Sequence, residues 1–391
     1  MGLKPLHIAI CGAGPAGLSA AVFLHRLGHR ISIFDQFETP QPVGSGLILQ
    51  PAGLAVLDAL GLGVRMRALG QRIDRLFGKA CGSGRTVLDV RYQALGDARG
   101  YAVHRAGLFN VLSGGLAAEG LAVTGSSRIT GIDGRVLLMG ARREGPFDVI
   151  IDALGARSPL IASAAGPDYR RRLSYGAIWA SLPWPHAPFD AHALEQRYER
   201  ASVMIGVLPI GRTAESAPPR AAFFWSLRTA DFAAWREAGL AAWKQRVLSL
   251  WPETASLLAA ITAPEQMTLA AYEHHTLSQP FGNGIIFIGD SAHATSPQLG
   301  QGANMALLDA AALAQAFRNS ASVQDAALHY ARQRRFHVRL YQAMSRLFTP
   351  FYQSDSVLLP LARDTLVSVA SKPRFMRRLL AGLVSGKLGL R

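Results

Sequence analysis

Gly12-Ala13-Gly14-Pro15-Ala16-Gly17 is the stretch whose residue types and spacing most directly imply a chemical partner. In a G-x-G-x-x-G run the first glycine permits a tight turn and the second admits a pyrophosphate against the backbone. The third lets helix pack on strand. The pattern is informative only between a strand and a helix. Residues 6–11 (LHIAIC) are a near-continuous apolar run, a helical pattern follows through Arg26, and residues 30–34 (RISIF) read as the next strand. Asp35 closes that strand with Gln36 beside it, about 20 residues past the loop, where a carboxylate accepts hydrogen bonds from a ribose diol. The helix start adds unbonded N–H groups and a partial positive charge for phosphate. A bound dinucleotide is the expectation.

A second group of residues has the same character. Residues 284–288 (GIIFI) form a short strand ended by Gly289-Asp290, and a loop leads to a helix from Ala303 to Arg318. Asp290 lies at a strand's carboxyl end, where open α/β sheets bind ligands. The approach Gly300-Gln301-Gly302-Ala303-Asn304 offers further N–H groups to an anion. Taken singly, Asp290 reads equally as a turn residue and the glycines as a tight helix start. Together with the first loop they suit one extended dinucleotide. Arg105 follows the strand-like Val103-His104 and opens another helix, so it falls on the same edge and suits a phosphate contact. Gly44 and Gly46 flank Ser45, which fits either backbone approach to a flat cofactor or a flexible loop.

The elements that position these residues define an α/β chain: a Rossmann-like cofactor domain with an inserted mixed β-sheet domain and a helical C-terminus. Residues 1–74, 101–172 and 279–350 are expected to form the cofactor domain. Residues 75–100 and 173–278 are expected to form the inserted domain, where β-like runs at 175–182, 202–208 and 220–227 adjoin without intervening helices. A single helix is expected over 231–251, and a helical tail over 351–391. A chain of 391 residues can bury a sizeable core. No apolar run approaches the ~20 residues of a membrane span, and two cysteines supply neither a disulfide framework nor metal spacing. A cytoplasmic location and no metal follow as expectations.

The formal charge is +15, and twelve Lys/Arg face two Asp from Leu328 onward. No nucleic-acid motif accompanies them, so nucleic acid is not an expected partner. The segment after Pro373 places Phe375, Leu379 and Leu383 on one face, with Met376 and Leu380 beside them and Arg374, Arg377 and Arg378 largely opposite. Packing of that apolar face on the cofactor domain is expected. Contact with a membrane surface is the less favoured reading.

The glycine fingerprint with its acid, Arg105 at its junction, and Gly289-Asp290-x-Ala292-His293-x3-Pro297-x2-Gly300-Gln301-Gly302-x-Asn304 together resemble the single-component FAD monooxygenases of the para-hydroxybenzoate hydroxylase type, with ubiquinone-pathway hydroxylases among the relatives. The resemblance spans the chain. It implies non-covalent FAD held by Gly12, Gly14, Ala16, Gly17, Asp35, Gln36, Ser45, Gly46, Arg105 and Asp290, the last on the ribityl hydroxyls. It implies that Pro297, Gly300, Gly302, Ala303 and Asn304 face the flavin ring, with the Pro297 carbonyl beside flavin and substrate. It further implies NAD(P)H as a transient reductant, O2 as co-substrate, and hydroxylation of an electron-rich aromatic small molecule through a C4a-hydroperoxyflavin, with no protein nucleophile. Met204, Gly206, Phe223 and Trp225 are the expected substrate-lining residues. One departure stands out: Leu154-Gly155-Ala156-Arg157-Ser158 carries leucine where the family's middle motif has aspartate. A dehydrogenase or reductase acting on an apolar substrate, or a flavin-binding protein with little turnover, therefore stay open as alternatives.

Overall fold

A computed structural model describes residues 3–38, 45–370 and 373–390, without the side chains of 366–370. Gly44 lies outside the described residues. The chain opens with β1 (His7–Cys11), α1 (Pro15–Arg26) and β2 (Arg30–Phe34), as the apolar runs and Pro15 at the helix's first position require. Next come β3 (Gly46–Leu49), α2 (Pro51–Ala59), α3 (Gly63–Leu69) and β4 (Gln71–Ile73). A hairpin of β5 (Arg75–Ala80) and β6 (Thr86–Arg91) precedes β7 (Gly100–His104), α4 (Arg105–Ala118) and β8 (Val123–Thr124). A small meander, β9 (Gly131–Asp133), β10 (Val136–Met139) and β11 (Arg142–Glu144), leads to β12 (Val149–Asp152).

β13 (Asp168–Pro183), β14 (Ala193–Glu199), β15 (Val203–Pro209) and β16 (Arg220–Arg228) then run without intervening helices. α5 (Phe232–Glu237), α6 (Leu240–Leu250) and α7 (Ala255–Ala259) follow, and β17 (Thr268–Leu277) returns to the sheet. The single helix expected over 231–251 is broken at Gly239, whose φ of +74° ends α5 and starts α6. The chain finishes with β18 (Phe281–Gly282), β19 (Ile285–Phe287), β20 (His293–Ala294), α8 (Gly302–Arg318), α9 (Val323–Tyr352), α10 (Leu358–Ala370) and α11 (Arg374–Val384).

Two sheets carry the architecture. The first has order β18-β19-β12-β1-β2-β8, parallel except for the β18–β19 pair. Alternation along its strands sends Ile8 and Ile10 toward α1 and α8, and Ala9 and Cys11 toward the meander side with Leu137 and Phe147. The second sheet is β20-β17-β13-β16-β15-β14-β5-β6, antiparallel except where β14 meets β5. One face packs on α5–α7 through Phe223, Trp225 and Trp243. The other lies on the small sheet β3-β7-β4 and the end of α11. β20, part of the segment after Gly289-Asp290, pairs with β17 (His275 with Ala294, Thr276 with His293), so the two layers share main-chain hydrogen bonds.

The tail does not pack as one face. Ala381, Leu383 and Val384 are buried, while Phe375 and Leu379 remain 68% and 49% exposed. The buried half is stitched in by backbone groups. Tyr341 Oη donates to Leu383 O (2.6 Å), Gln301 Nε2 to Val384 O (2.7 Å) and Ala52 N to Ser385 O (3.1 Å), and His337 Nε2 lies 3.0 Å from Gly386 O. Among the described residues no helix is long and apolar enough to cross a membrane. Truncation after Ser371 removes all four of these bonds, each worth ~0.5–1.5 kcal/mol net. The truncated protein is expected to melt well below the full chain in differential scanning fluorimetry. An unchanged midpoint would show that the tail adds nothing to the core.

Candidate flavin and substrate site

The glycine turn divides into positions that the fold needs and a position that it leaves open. Gly12 has φ +105°, and a Cβ there would sit 2.5 Å from Ala153 O; a Cβ on Gly17 would collide with Gly12 O. Gly14 has ordinary extended backbone (φ −76°), and a Cβ on it would meet nothing within 4 Å. Open space over Gly14 at the start of α1 is what a pyrophosphate requires. Gly302, at the first turn of α8, is equally open. Met305 N is the first to bond back within that helix, to Gln301 O (2.8 Å), so the N–H groups of Gly302, Ala303 and Asn304 precede the helical ladder.

The two motifs touch. Gly289 (φ +62°) lies under Ala16, with its position for a Cβ only 3.0 Å from the Ala16 methyl. Gly289 N donates to Asp309 Oδ2 (2.8 Å), and the same carboxylate is bound by His293 Nε2 (2.7 Å) and Arg334 Nε (2.6 Å). His293 and Arg334 hold the buried Asp309 down at about 2 against the opposing effect of burial. This network fixes the turn that carries Asp290. Asp290 is exposed, yet the surrounding protein displaces enough bulk water to raise its pKa, while His293 and Arg105 pull it back. Asp35 accepts from Ala13 N (2.8 Å) and Phe37 N (3.1 Å), so it braces the glycine turn. Gln36 is exposed beside it.

Arg105 starts α4, and its N–H is bound to Ser45 O (3.0 Å). Its charge is felt by the carboxyl of Asp290 and by the hydroxyl of Tyr272. Burial lifts the Tyr272 phenol to about 12, opposed by Trp179 and Arg105, so it is a neutral hydrogen-bond donor at ordinary pH. Trp179 Nε1 donates to Tyr272 Oη (3.1 Å), leaving the phenol's own proton to be given elsewhere. Trp179 also lies against Phe224, with ring centroids 4.4 Å apart. Sequence reasoning missed Tyr272, Trp179 and Phe224. Strand alternation around a known inward residue is the signal that would have found them.

Several expected contacts are placed differently. Phe223 and Trp225 point into the core beneath α6, against Trp243, because they alternate with Phe224 and lie on the far face. Met204 and Gly206 do share the inner face; Gly206 is glycine because the Phe224 ring lies across it. Gly46 serves close packing, since a Cβ there would strike Ile210. Ser45 is buried with its hydroxyl donating to Ala180 O (3.3 Å). The Asn304 side chain is fully used: Oδ1 accepts from Gln50 N (2.7 Å), and Nδ2 donates to Ile48 O and Gly300 O (both 3.0 Å). Only its backbone N–H is left for a ligand. The Pro297 carbonyl already accepts from Gly300 N (2.8 Å). Gln50 Nε2, by contrast, is buried without a partner near Gly300, an unsatisfied donor beside the approach to α8.

The middle motif resolves at Asp152. β12 ends there, and Oδ1 accepts from Leu154 N (2.9 Å), turning Leu154 off the strand; Oδ2 accepts from the motif serine, Ser158. Leu154 is half-buried against the core beside β1 and β12. A carboxylate two residues early therefore takes the motif serine.

A strand, glycine turn, helix and terminal acid, in contact with a second glycine-aspartate turn, have the form of a dinucleotide-binding unit. The chain belongs to the FAD binding domain family, which it matches over residues 6–134 and 182–341. The 3-amino-4-hydroxybenzoate 2-monooxygenase of Streptomyces cremeus is 26% identical over 323 residues, 79% of this chain and 78% of that protein. The FAD-dependent urate hydroxylase of Klebsiella pneumoniae is 24% identical over 84% of this chain and 86% of its own. Among solved structures, Klebsiella pneumoniae HpxO complexed with FAD and uric acid superposes with a TM-score of 0.81 at 21% identity, covering 98% of each chain. The tetrameric 2-methyl-3-hydroxypyridine-5-carboxylic acid oxygenase gives 0.78 at 20% identity, over 92% and 96%. The cofactor is FAD.

Two outcomes follow from this geometry. Gly14→Ala should leave the apoprotein's melting point unchanged and weaken FAD retention, whereas Gly17→Ala should lower the apoprotein's melting point. Matched fluorimetry and flavin titration separate fold from cradle. Burial pushes Asp152 up to about 6, so its ionisation is disfavoured in the folded state. That penalty is absent below pH ~4, grows as pH rises, and is complete above ~6, at ~3 kcal/mol on 1.36 kcal/mol per pH unit. Asp152→Asn keeps an acceptor for Leu154 N and loses the Ser158 bond, so it should stabilise the protein by ~1–2 kcal/mol at pH 8, a gain that disappears near pH 4.

Proposed function

We propose that the protein is an FAD-dependent monooxygenase that uses NAD(P)H and O2 to hydroxylate an electron-rich aromatic small molecule, bound between the inner face of the eight-stranded sheet and the start of α8. The observation that carries this reading is the contact of Gly289 with Ala16, which sets the glycine turn, with its open space over Gly14, beside the turn that carries Asp290. Bound FAD would supply the hydride acceptor and the oxygen chemistry. The chain's residues supply binding and orientation. Gly14 and the α1 start receive the pyrophosphate, Asp290 accepts from the ribityl hydroxyls, and the α8 start offers N–H groups to the electron-rich edge of the ring. Trp179 and Phe224 give an aromatic ring a flat, water-poor wall. Tyr272, neutral and with its oxygen already held by Trp179, directs its proton to a substrate oxygen or nitrogen.

The relatives named for hydroxylation of aminohydroxybenzoate and urate support this substrate class. The deciding experiment follows NAD(P)H oxidation and O2 uptake by the FAD-loaded protein across phenols, quinone precursors and indoles, with product mass as readout. The expected product is heavier by one oxygen. Turnover without oxygen insertion would instead identify a dehydrogenase. Once a substrate is in hand, Tyr272→Phe should raise KM roughly 2- to 10-fold, the loss of one hydrogen bond of ~0.5–1.5 kcal/mol, and leave FAD affinity unchanged. An unchanged KM would remove Tyr272 from the substrate's contacts.

A further inference from the structure

We propose that the groove between α9 and the connection from β17 to β18 is a separate binding site for a small ligand carrying a phosphate or carboxylate on an apolar body. The groove encloses about 420 Å³, within the range of small-molecule sites. Leu277, Pro280, Phe281 and Val338 form its apolar wall. Arg332, Arg335, Arg339 and Arg346 line it from α9, all four are exposed, and no Asp or Glu lines it.

The arginines are the telling feature. Some arginines elsewhere sit on carboxylates, as Arg170 does on Asp168 and Glu273. Among the described residues none of these four has an acidic partner. Arg332 and Arg335 are three residues apart, and Arg335 and Arg339 four apart, so they share a helix face and repel one another. An oxyanion in the groove relieves that repulsion, and guanidinium groups bind phosphate and carboxylate in two-pronged fashion. Beneath the rim, the buried Arg334 keeps Nη2 without a partner, so the floor has a donor in reserve.

The groove is distinct from the flavin cleft but touches its support. His293 and Arg334 line the groove and also bind Asp309, which holds Gly289 N. A ligand there and FAD on the other side of the Gly289-Asp290 turn therefore act on one network, and any coupling between them is reciprocal.

The test uses the FAD-loaded protein and calorimetric titration with inorganic phosphate, adenosine 2′,5′-bisphosphate and benzoate, each against KCl at matched ionic strength. The comparison is the double variant Arg335→Gln/Arg339→Gln, whose flavin spectrum and melting point report that it is folded and loaded. At least one probe should bind the wild type saturably and bind the variant about tenfold more weakly. Binding by phosphate or the bisphosphate assigns a phosphate ligand, and binding by benzoate alone assigns a carboxylate. No saturable binding of any probe, equal binding by both proteins, or the same response to KCl overturns the proposal. This result does not depend on which reaction the flavin performs.

Discussion

A single buried carboxylate organises the cofactor half of the molecule. Asp309 projects from α8 and gathers an imidazole from the β20 segment, a guanidinium from α9 and the backbone N–H of Gly289. Removing one partner from a buried ionic cluster typically costs ~3–5 kcal/mol, because the remaining charge is stranded without water. Here the consequence is positional as well as energetic. Gly289 must stay at positive φ, pressed under Ala16, for Asp290 to face the cleft. The arginine that meets Asp309 bonds onward to His337, whose other nitrogen meets Gly386 O in the tail. The C-terminal segment is thereby in hydrogen-bonded continuity with the Gly289-Asp290 turn.

Much of this was legible in the sequence because it is local. A strand, a glycine turn, a helix and a terminal acid follow within one short stretch; the steric reasons for Gly12 and Gly17 survive in the structure, and Asp35 takes the backbone N–H of Ala13. What was illegible depends on partners distant in the chain. The strand β14 reads ALEQRYE, with no apolar alternation to mark it, and exists because it is flanked by β15 and β5. Phe223, Phe224 and Trp225 are equivalent in type, and only the placement of α6 decides which face is core and which is cleft. Gly46 suggested ligand approach yet is glycine for Ile210, contributed from beyond β15. Asn304, inside the most specific motif, clamps β3 to α8 with its side chain.

The apparent defect in the middle motif carries the same lesson. Aligned by position, Leu154 replaces a carboxylate; arranged in space, Asp152 supplies one to Ser158 and caps the end of β12. Ser291 also donates to the backbone carbonyl of Asp152 (2.6 Å), linking the middle motif to the Gly289-Asp290 turn. The chemistry of the site is a property of this set of bonds, and a motif read letter by letter loses it.

The short ladder between β17 and β20 bears on how such a protein can change its substrate. Tyr272 lies three residues before one rung and Asp290 three residues before its neighbour, His275 with Ala294 and Thr276 with His293. The spacing between Asp290 and Tyr272 is thus set by peptide geometry, which side-chain replacement barely alters. Residues on β13, β15 and β16 can then drift while the gauge between Asp290 and Tyr272 stays fixed. A scaffold with such a built-in ruler separates the question of what is bound from the question of where it reacts.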